Sequence, residues 1–171
     1  MDRSYNFLAN FISVKSSLNR KFYTHQTTIL FIMIDTSMSK KELEEFLSKP
    51  LIARIATIGK DNMPNIHPVW FLYENGIIFI STGRDSAKVR NIKRNPKVAV
   101  TVDVSEDGVN KGVVFRGEAE LVENDELSKR ILLKYLGPDN PKFKQLVQIP
   151  RIVVKVKPEK MFSWDSSKIF G

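Results

Sequence analysis

From Leu51 onward the chain alternates short β-branched, apolar runs with polar turns. Leu51–Ile58, Met63–Tyr73, Ile77–Thr82 and Lys97–Val104 read as strands. The first two are separated by Gly59-Lys60-Asp61-Asn62, and the second and third by the hairpin signal Glu74-Asn75-Gly76. Pro64 and Pro68 fall inside the second run; proline has no N–H to give a ladder, so that run is an edge strand or carries a bulge. Ser86–Arg94 changes period. Val89 and Ile92 share one helical face, Lys88, Arg90, Lys93 and Arg94 lie mostly on the other, and Asn95-Pro96 stops the helix. After a turn at Glu106-Asp107-Gly108, Gly112–Val122 predicts a long fifth strand. It sets Val114, Glu118 and Glu120 on a solvated side against Val113, Phe115, Ala119 and Leu121. Asn124–Leu136 reads as a helix, capped by Asn124 and closed by Gly137-Pro138. Ile149–Val156 is the last clear strand, with Met161–Trp164 as a short addition. Upstream, Ser39-Lys40-Lys41-Glu42 is a capping box opening a short helix with Leu43, Phe46 and Leu47 on one face, and Pro50 ends it.

Six or seven strands joined by hairpins, with few helices, predict a mainly β chain: a closed or nearly closed barrel with flanking helices, since closure removes exposed edges. A doubly wound fold needs regular strand–helix alternation, which is missing. Residues 1–34 differ from the rest. They are poor in acids, rich in Ser, Asn and Thr, and end in the apolar run Ile29–Ile34, too short to cross a bilayer. Asp35-Thr36-Ser37 is a poor signal-peptidase site. The segment has the composition of a transit peptide; the alternative is a natural start at Met33 or Met38, with residues 1–34 an extension outside the native fold and 35–171 the domain. The expected location is the cytoplasm, with no membrane partner.

Composition narrows the chemistry. Apolar residues at 42 % and charged residues at 27 % are ordinary for a globular domain. The absence of cysteine excludes disulfides, thiolate metal sites and thiol nucleophiles, and two histidines, His25 and His67, are too few for a histidine-rich metal centre. A net charge of +8 suits anionic partners, including phosphorylated small molecules, but no block of five like charges marks a nucleic-acid tail.

Two stretches carry candidate chemistry. Ser81-Thr82-Gly83-Arg84-Asp85-Ser86-Ala87-Lys88 ends a strand in two hydroxyls, turns through glycine and enters a helix with a lysine in its first turn. A helix N-terminus with added hydroxyls and an ammonium suits a phosphate; the plain alternative is that Ser86 caps the helix and Lys88 is solvated. Neither common glycine-rich nucleotide loop is present. In Asn65-Ile66-His67-Pro68-Val69-Trp70, a proline-broken strand leaves backbone groups free for a flat heteroaromatic ring. Trp70 or His67 would pack nearby, against the plainer readings of a core tryptophan and a locally bonded histidine. No acid–base pair or nucleophile elbow stands out, so catalysis would need a cofactor, and no catalytic side chain is assigned.

In order, Gly59-x-x-x-x-Pro64, His67-Pro68-Val69-Trp70-Phe71, Ile80-Ser81-Thr82, Ser86-x-Lys88, Asn95-Pro96-Lys97-Val98 and Gly117-x-Ala119 resemble the flavin-binding split-barrel proteins of the pyridoxamine 5′-phosphate oxidase-like superfamily, over about residues 38–165. The resemblance implies a split β-barrel homodimer with flavin mononucleotide (FMN) at the subunit interface, acting as an oxidoreductase on a small molecule; the rival readings are a flavin-binding module without turnover and a basic nucleic-acid-binding barrel. His67, Pro68, Val69 and Trp70 would line the flavin ring, Ser81 and Thr82 would meet the ribityl-phosphate end, and Ser86 and Lys88 would hold the phosphate. The chain departs from true pyridoxamine phosphate oxidases. It has Ala87-Lys88 for their Arg-Lys, lacks their arginine near His67 and glutamine near Gly112, and ends without their substrate signature. Pro68-Val69-Trp70-Phe71, and Lys157-Pro158 followed by Trp164, are similar to a branch that often uses a deazaflavin, which makes that coenzyme the alternative. Arg84 or Arg90 would stand in for the missing phosphate arginine.

Overall fold

Seven strands form one antiparallel sheet in the structure, a computed structural model that describes residues 34–169; the readings of residues 1–33 fall outside it. The strands are β1 (Ala53–Ile58), β2 (Pro64–Val69), β3 (Phe71–Glu74), β4 (Ile77–Gly83), β5 (Lys97–Glu106), β6 (Val109–Val122) and β7 (Arg151–Asp165), in the order β2-β1-β5-β6-β7-β4-β3. The two edge strands, β2 and β3, are separated in sequence by Trp70 alone. The edges of a flat sheet this wide would lie roughly 29 Å apart at about 4.8 Å per strand step, and one residue spans about 3.5 Å. The sheet therefore curls into a barrel with an unpaired seam between β2 and β3.

Local chemistry sets the hairpins. Asn75-Gly76 and Asp107-Gly108 all have positive φ, the two-residue turn whose twist matches the strands it joins. The β5–β6 turn is consequently tighter than read from the sequence: Glu106 pairs with Val109, so β5 runs on to Glu106 and β6 starts at Val109, not Gly112. β2 pairs only with β1, as its prolines require.

Three expectations change. Met63–Tyr73 is two strands, because the chain crosses the seam at Trp70 and leaves one edge for the other. Ile149–Val156 and Met161–Trp164 are one strand, β7. Its Pro158 lies opposite Gly117, where the β6 register shifts, and a Cβ on Gly117 would stand 2.3 Å from the Lys157 carbonyl oxygen. A short helix, α4 (Pro141–Leu146), capped by Asn140 with proline in its first turn, was not read from the sequence at all.

The barrel interior is filled by Ile55, Phe71, Ile78, Ile80, Val100, Val102, Val113, Phe115 and Val154, all fully buried. Each such side chain contributes about 1.5–3 kcal/mol over leaving it in water. Glu118 and Glu120 point to solvent as expected. Helix α1 (Lys40–Ser48) lays Leu43, Phe46 and Leu47 on this core, with both bonds of the Ser39/Glu42 capping box formed. Helix α2 (Ala87–Arg94) buries Val89 and Ile92 and is tied to β1 by a buried bond from Asn91 Nδ2 to Thr57 Oγ1, 3.0 Å. Helix α3 (Asp125–Leu136) packs across β4 and β7, with Ser128, Ile131 and Leu132 buried.

Candidate functional site

The seam opens into a cleft at one end of β4. β3 begins at Phe71, opposite Ile80, so Ser81, Thr82 and Gly83 run on past their β3 partner while still paired with β7. Into this gap come Pro68, Val69 and Trp70 from the seam crossing, Ser81 and Thr82 from β4, Lys88 from α2, Arg151 from β7, and Ile52. They line a cleft of about 360 Å³.

The polar groups converge. Lys88 Nζ donates to Thr82 Oγ1 at 3.2 Å, and Thr82 and Ser86 hydroxyls meet at 3.4 Å. Arg151 Nε donates to Ser81 Oγ at 2.6 Å and its Nη2 to the Ser81 carbonyl at 3.0 Å. Ser81 donates its own O–H to Ser128 Oγ on α3, 3.1 Å away. Among the described residues, neither Lys88 nor Arg151 has a carboxylate within ion-pair distance. Burial holds the Lys88 ammonium below the usual lysine range, helped by the neighbouring Arg151 charge, and burial lowers Arg151 as well. Ser86 occupies the N-cap position of α2, yet its hydroxyl caps no helix N–H. The first turn of α2 is thus left to a ligand or to water.

Trp70 is not a core residue. It is half-buried on the cleft wall and stacks on Tyr135 of α3, with ring centroids 4.9 Å apart and planes 7° apart. The Tyr135 hydroxyl donates to the Leu51 carbonyl at 2.5 Å and accepts from Phe71 N–H at 3.2 Å. One side chain thereby fixes the tryptophan, the seam crossing and the approach to β1. Tyr135 pays with its acidity: burial pushes its phenol up to about 12.

Six of the nine residues singled out in the sequence line this cleft: Pro68, Val69, Trp70, Ser81, Thr82 and Lys88. Ser86 adjoins it through Thr82. His67 is just outside the lining. Its Nδ1 is buried without a hydrogen-bond partner, and burial together with the Lys88 charge lowers its pKa, keeping it neutral at pH 7. Arg84 is elsewhere: it is exposed, ion-paired with Glu123, and faces a second, larger cleft. Arg90 is turned to the Asp85 carbonyl. The guanidinium in the first cleft is that of Arg151, which sequence reading missed. It reaches Ser81 only through the β4–β7 pairing, so no local pattern could have found it.

This donor set fits a phosphate: three hydroxyls, an ammonium, a guanidinium and an uncapped helix start, with no carboxylate lining the cleft. A stacked indole and backbone freed by Pro68 fit a flat ring beside it. Among the described residues no group of three or more His, Asp or Glu could hold a metal ion, and no helix is long and apolar enough to cross a membrane.

Comparison with known proteins finds a family and solved structures that this chain resembles. The family described as pyridoxamine 5′-phosphate oxidase matches residues 39–165. A conserved hypothetical protein from Mycobacterium tuberculosis is similar at 28 % identity and a TM-score of 0.70, covering 80 % of this chain and 91 % of its own. An F420 reductase is similar at 26 % identity and TM-score 0.56, covering 70 % and 94 %. The heme storage protein HutZ from Vibrio cholerae shares the fold at 21 % identity and TM-score 0.59, covering 73 % and 94 %. None of the curated proteins is a sequence match to this chain.

Proposed function

Because the chain belongs to the pyridoxamine 5′-phosphate oxidase family, we propose that it is an oxidoreductase that holds a phosphorylated flavin or deazaflavin in the seam cleft and acts on a small molecule. The observation that carries this reading is the convergence of Lys88 and Arg151, both half-buried and both without an acidic partner among the described residues, on the hydroxyls of Ser81 and Thr82 at the end of β4. Two such cations side by side cost free energy until an anion lies between them. In this reading Lys88, Arg151, Thr82 and Ser86 take the phosphate, Arg151 replaces Arg84 as the phosphate arginine, and Pro68, Val69 and Trp70 face the ring.

The coenzyme, when bound, supplies hydride or electron transfer that no side chain of the cleft can perform. The chain's own residues bind, orient and exclude water. His67, just outside the lining, keeps a buried Nδ1 with no hydrogen-bond partner and lies within the field of the Lys88 charge. The branch resembling the F420 reductase supports a deazaflavin, and FMN remains the other coenzyme of the reading.

Two copies of the chain complete the proposal. Ile66 on β2 and Phe162 on β7 are 66 % and 55 % exposed on the outer sheet face; the Ile66 row continues through Ala56 and Ala99 to Arg116, and Phe162 pairs with Val114, which lies opposite Thr101. Exposed apolar side chains interrupted by an arginine on one sheet face suit a second copy of the same surface.

The test is the visible absorption spectrum of the purified protein, followed by mass spectrometry of the small molecule it releases. A flavin or deazaflavin band that bleaches and returns with a reductant and an acceptor is the expected result. A colourless protein that takes up neither coenzyme overturns the reading, and a bound coenzyme that never cycles with any donor turns it into storage.

A further inference from the structure

The seam cleft has a polar lining and an apolar one, and a single helix reaches both. Ser128 and Tyr135 lie on the same face of α3, roughly two turns apart. Ser128 accepts from Ser81 in the polar lining, beside Arg151. Tyr135 stacks on Trp70 in the apolar lining, to which Ile52, Pro68 and Val69 also belong.

The apolar lining has little hold of its own. β2 ends at Val69 and β3 begins at Phe71, so Trp70 stands between two edge strands that do not pair with each other. Ile52 precedes β1, follows the Pro50 bend and is 40 % exposed. Both are fixed from α3 instead. The Tyr135 hydroxyl donates to the carbonyl of Leu51, next to Ile52, and accepts from the N–H of Phe71, next to Trp70. Its ring covers one face of the indole. The neighbouring Lys134 adds a tie: its Nζ donates to the Leu47 carbonyl at the end of α1, 2.8 Å away, and lies 4.0 Å over the Phe71 ring. The polar lining is held differently. Thr82 and Ser86 bond each other and Lys88 bonds Thr82, while Arg151 is brought in by the pairing of β4 with β7.

We propose that Tyr135 is a positioning residue for ring recognition: it holds Trp70 and Ile52 in place against the flat part of the ligand and leaves the phosphate part untouched. This deepens the reading above and rests on it. A side chain already immobile in the free protein loses no further freedom when a ligand meets it, and that preorganisation is a gain in affinity. With burial pushing its phenol up to about 12, Tyr135 remains a donor at neutral and mildly alkaline pH, so the hold is permanent rather than switched.

Apoprotein of the full chain is titrated with FMN by fluorescence, and inorganic phosphate is measured by its competition with FMN. Tyr135→Leu removes the stack and both hydrogen bonds. It should weaken FMN about tenfold, the scale of one side chain left to be immobilised by the ligand, and leave the phosphate constant within about twofold, as for an independent site. Tyr135→Phe keeps a ring for the indole and should recover part of the loss, to about threefold below wild type. It should also keep the near-ultraviolet circular dichroism of the stacked pair, which Tyr135→Leu loses; Trp164, the other tryptophan, is common to all three proteins. Lys88→Ala provides the opposite pattern, losing phosphate and FMN together. Equal losses of FMN and phosphate in the tyrosine variants would mark a merely structural residue, and an unchanged FMN affinity in Tyr135→Leu would mark an idle one. Either result overturns the inference while the flavin reading stands. Wild-type protein that binds phosphate and no FMN overturns both.

Discussion

Two groups of partly buried charge in this molecule are built on opposite plans. Near the C-terminal end of β7, Lys111 meets Asp165 at 2.9 Å, and Lys168 meets Glu42 at 2.9 Å. Each lysine has its carboxylate, and each carboxylate has further donors: Ser167 for Asp165, Ser39 and the capping box for Glu42. In the seam cleft, Lys88 and Arg151 have hydroxyls and each other, and no acid among the described residues. The consequences for titration run in opposite senses. The Ser167 bond, then Lys111, holds the Asp165 carboxyl down at about 2, and Lys168 does the same for Glu42, also about 2. Burial pushes both cleft cations down, which is a penalty on the charged form. The first arrangement is finished by folding. In the proposed reading the second is finished by an anion from outside, and perturbed, unpartnered groups in a cleft are a mark of a binding site.

The largest test of that contrast is Lys88→Ala beside Lys160→Ala, a solvent-exposed lysine on β7. Removing one charge-assisted bond to a phosphate costs about 1.5–3 kcal/mol, which is about 10- to 100-fold in affinity. Titration of coenzyme into the two apo variants should show that loss for Lys88→Ala and none for Lys160→Ala. Thermal unfolding of the apoprotein sharpens the point. Lys88→Ala removes a penalised cation, so its melting temperature should hold or rise, whereas loss of a purely structural lysine would lower it.

Next in size is Asp165→Asn, read by denaturant unfolding against pH. Asp165 is 6 % exposed and serves Lys111, Ser167 N–H and Ser167 Oγ, so losing its charge should cost about 2 kcal/mol at pH 7. Its folded pKa of about 2 lies below the ordinary aspartate value of 3.8. A depressed carboxyl stabilises the fold above its unfolded pKa and loses that contribution as pH falls through the folded one. Wild-type stability should thus decline between about pH 4 and pH 2, and the variant should show a shallower decline over that window. An identical slope in both would place the acid sensitivity elsewhere.

The contrast also explains what the sequence could and could not disclose. Asn75-Gly76, Asp107-Gly108 and the Ser39/Glu42 box are local signals with local causes, and the hairpins and α1 followed from them. Pro64 and Pro68 announced an edge, since the missing donor is a property of the residue itself. Trp70 gave no such sign. A seam is a property of closing the sheet, and an apolar run reads the same on either side of it. β7 was split at Pro158 because the compensating shift lies on another strand, at Gly117. Helix α4 is only six residues, too short for a period to show. The strand-to-helix stretch Ser81–Lys88 was visible as a candidate phosphate grip because it is continuous in sequence. Its partner Arg151 is 70 residues from the serine it holds, and the Tyr135 that fixes Trp70 sits on another element still. Half of the site is sequence-local and half is made by pairing and packing.

The smallest effect belongs to Arg84, and its smallness is informative. The resemblance offers Arg84, four residues before Lys88 in the same connection, beside Arg90 as a stand-in for the phosphate arginine. In the structure its charge is already satisfied by Glu123, at the exposed rim of the second cleft rather than inside the first. An exposed pair of this kind contributes about 0–1 kcal/mol. Arg84→Ala should therefore lower unfolding free energy by less than about 1 kcal/mol and leave the FMN affinity within twofold, while Arg151→Ala in the same assay loses it. Equal losses for the two arginines would mean that Arg84 leaves Glu123 for the ligand, and the division between finished and waiting charges would then run through Arg84 rather than around it.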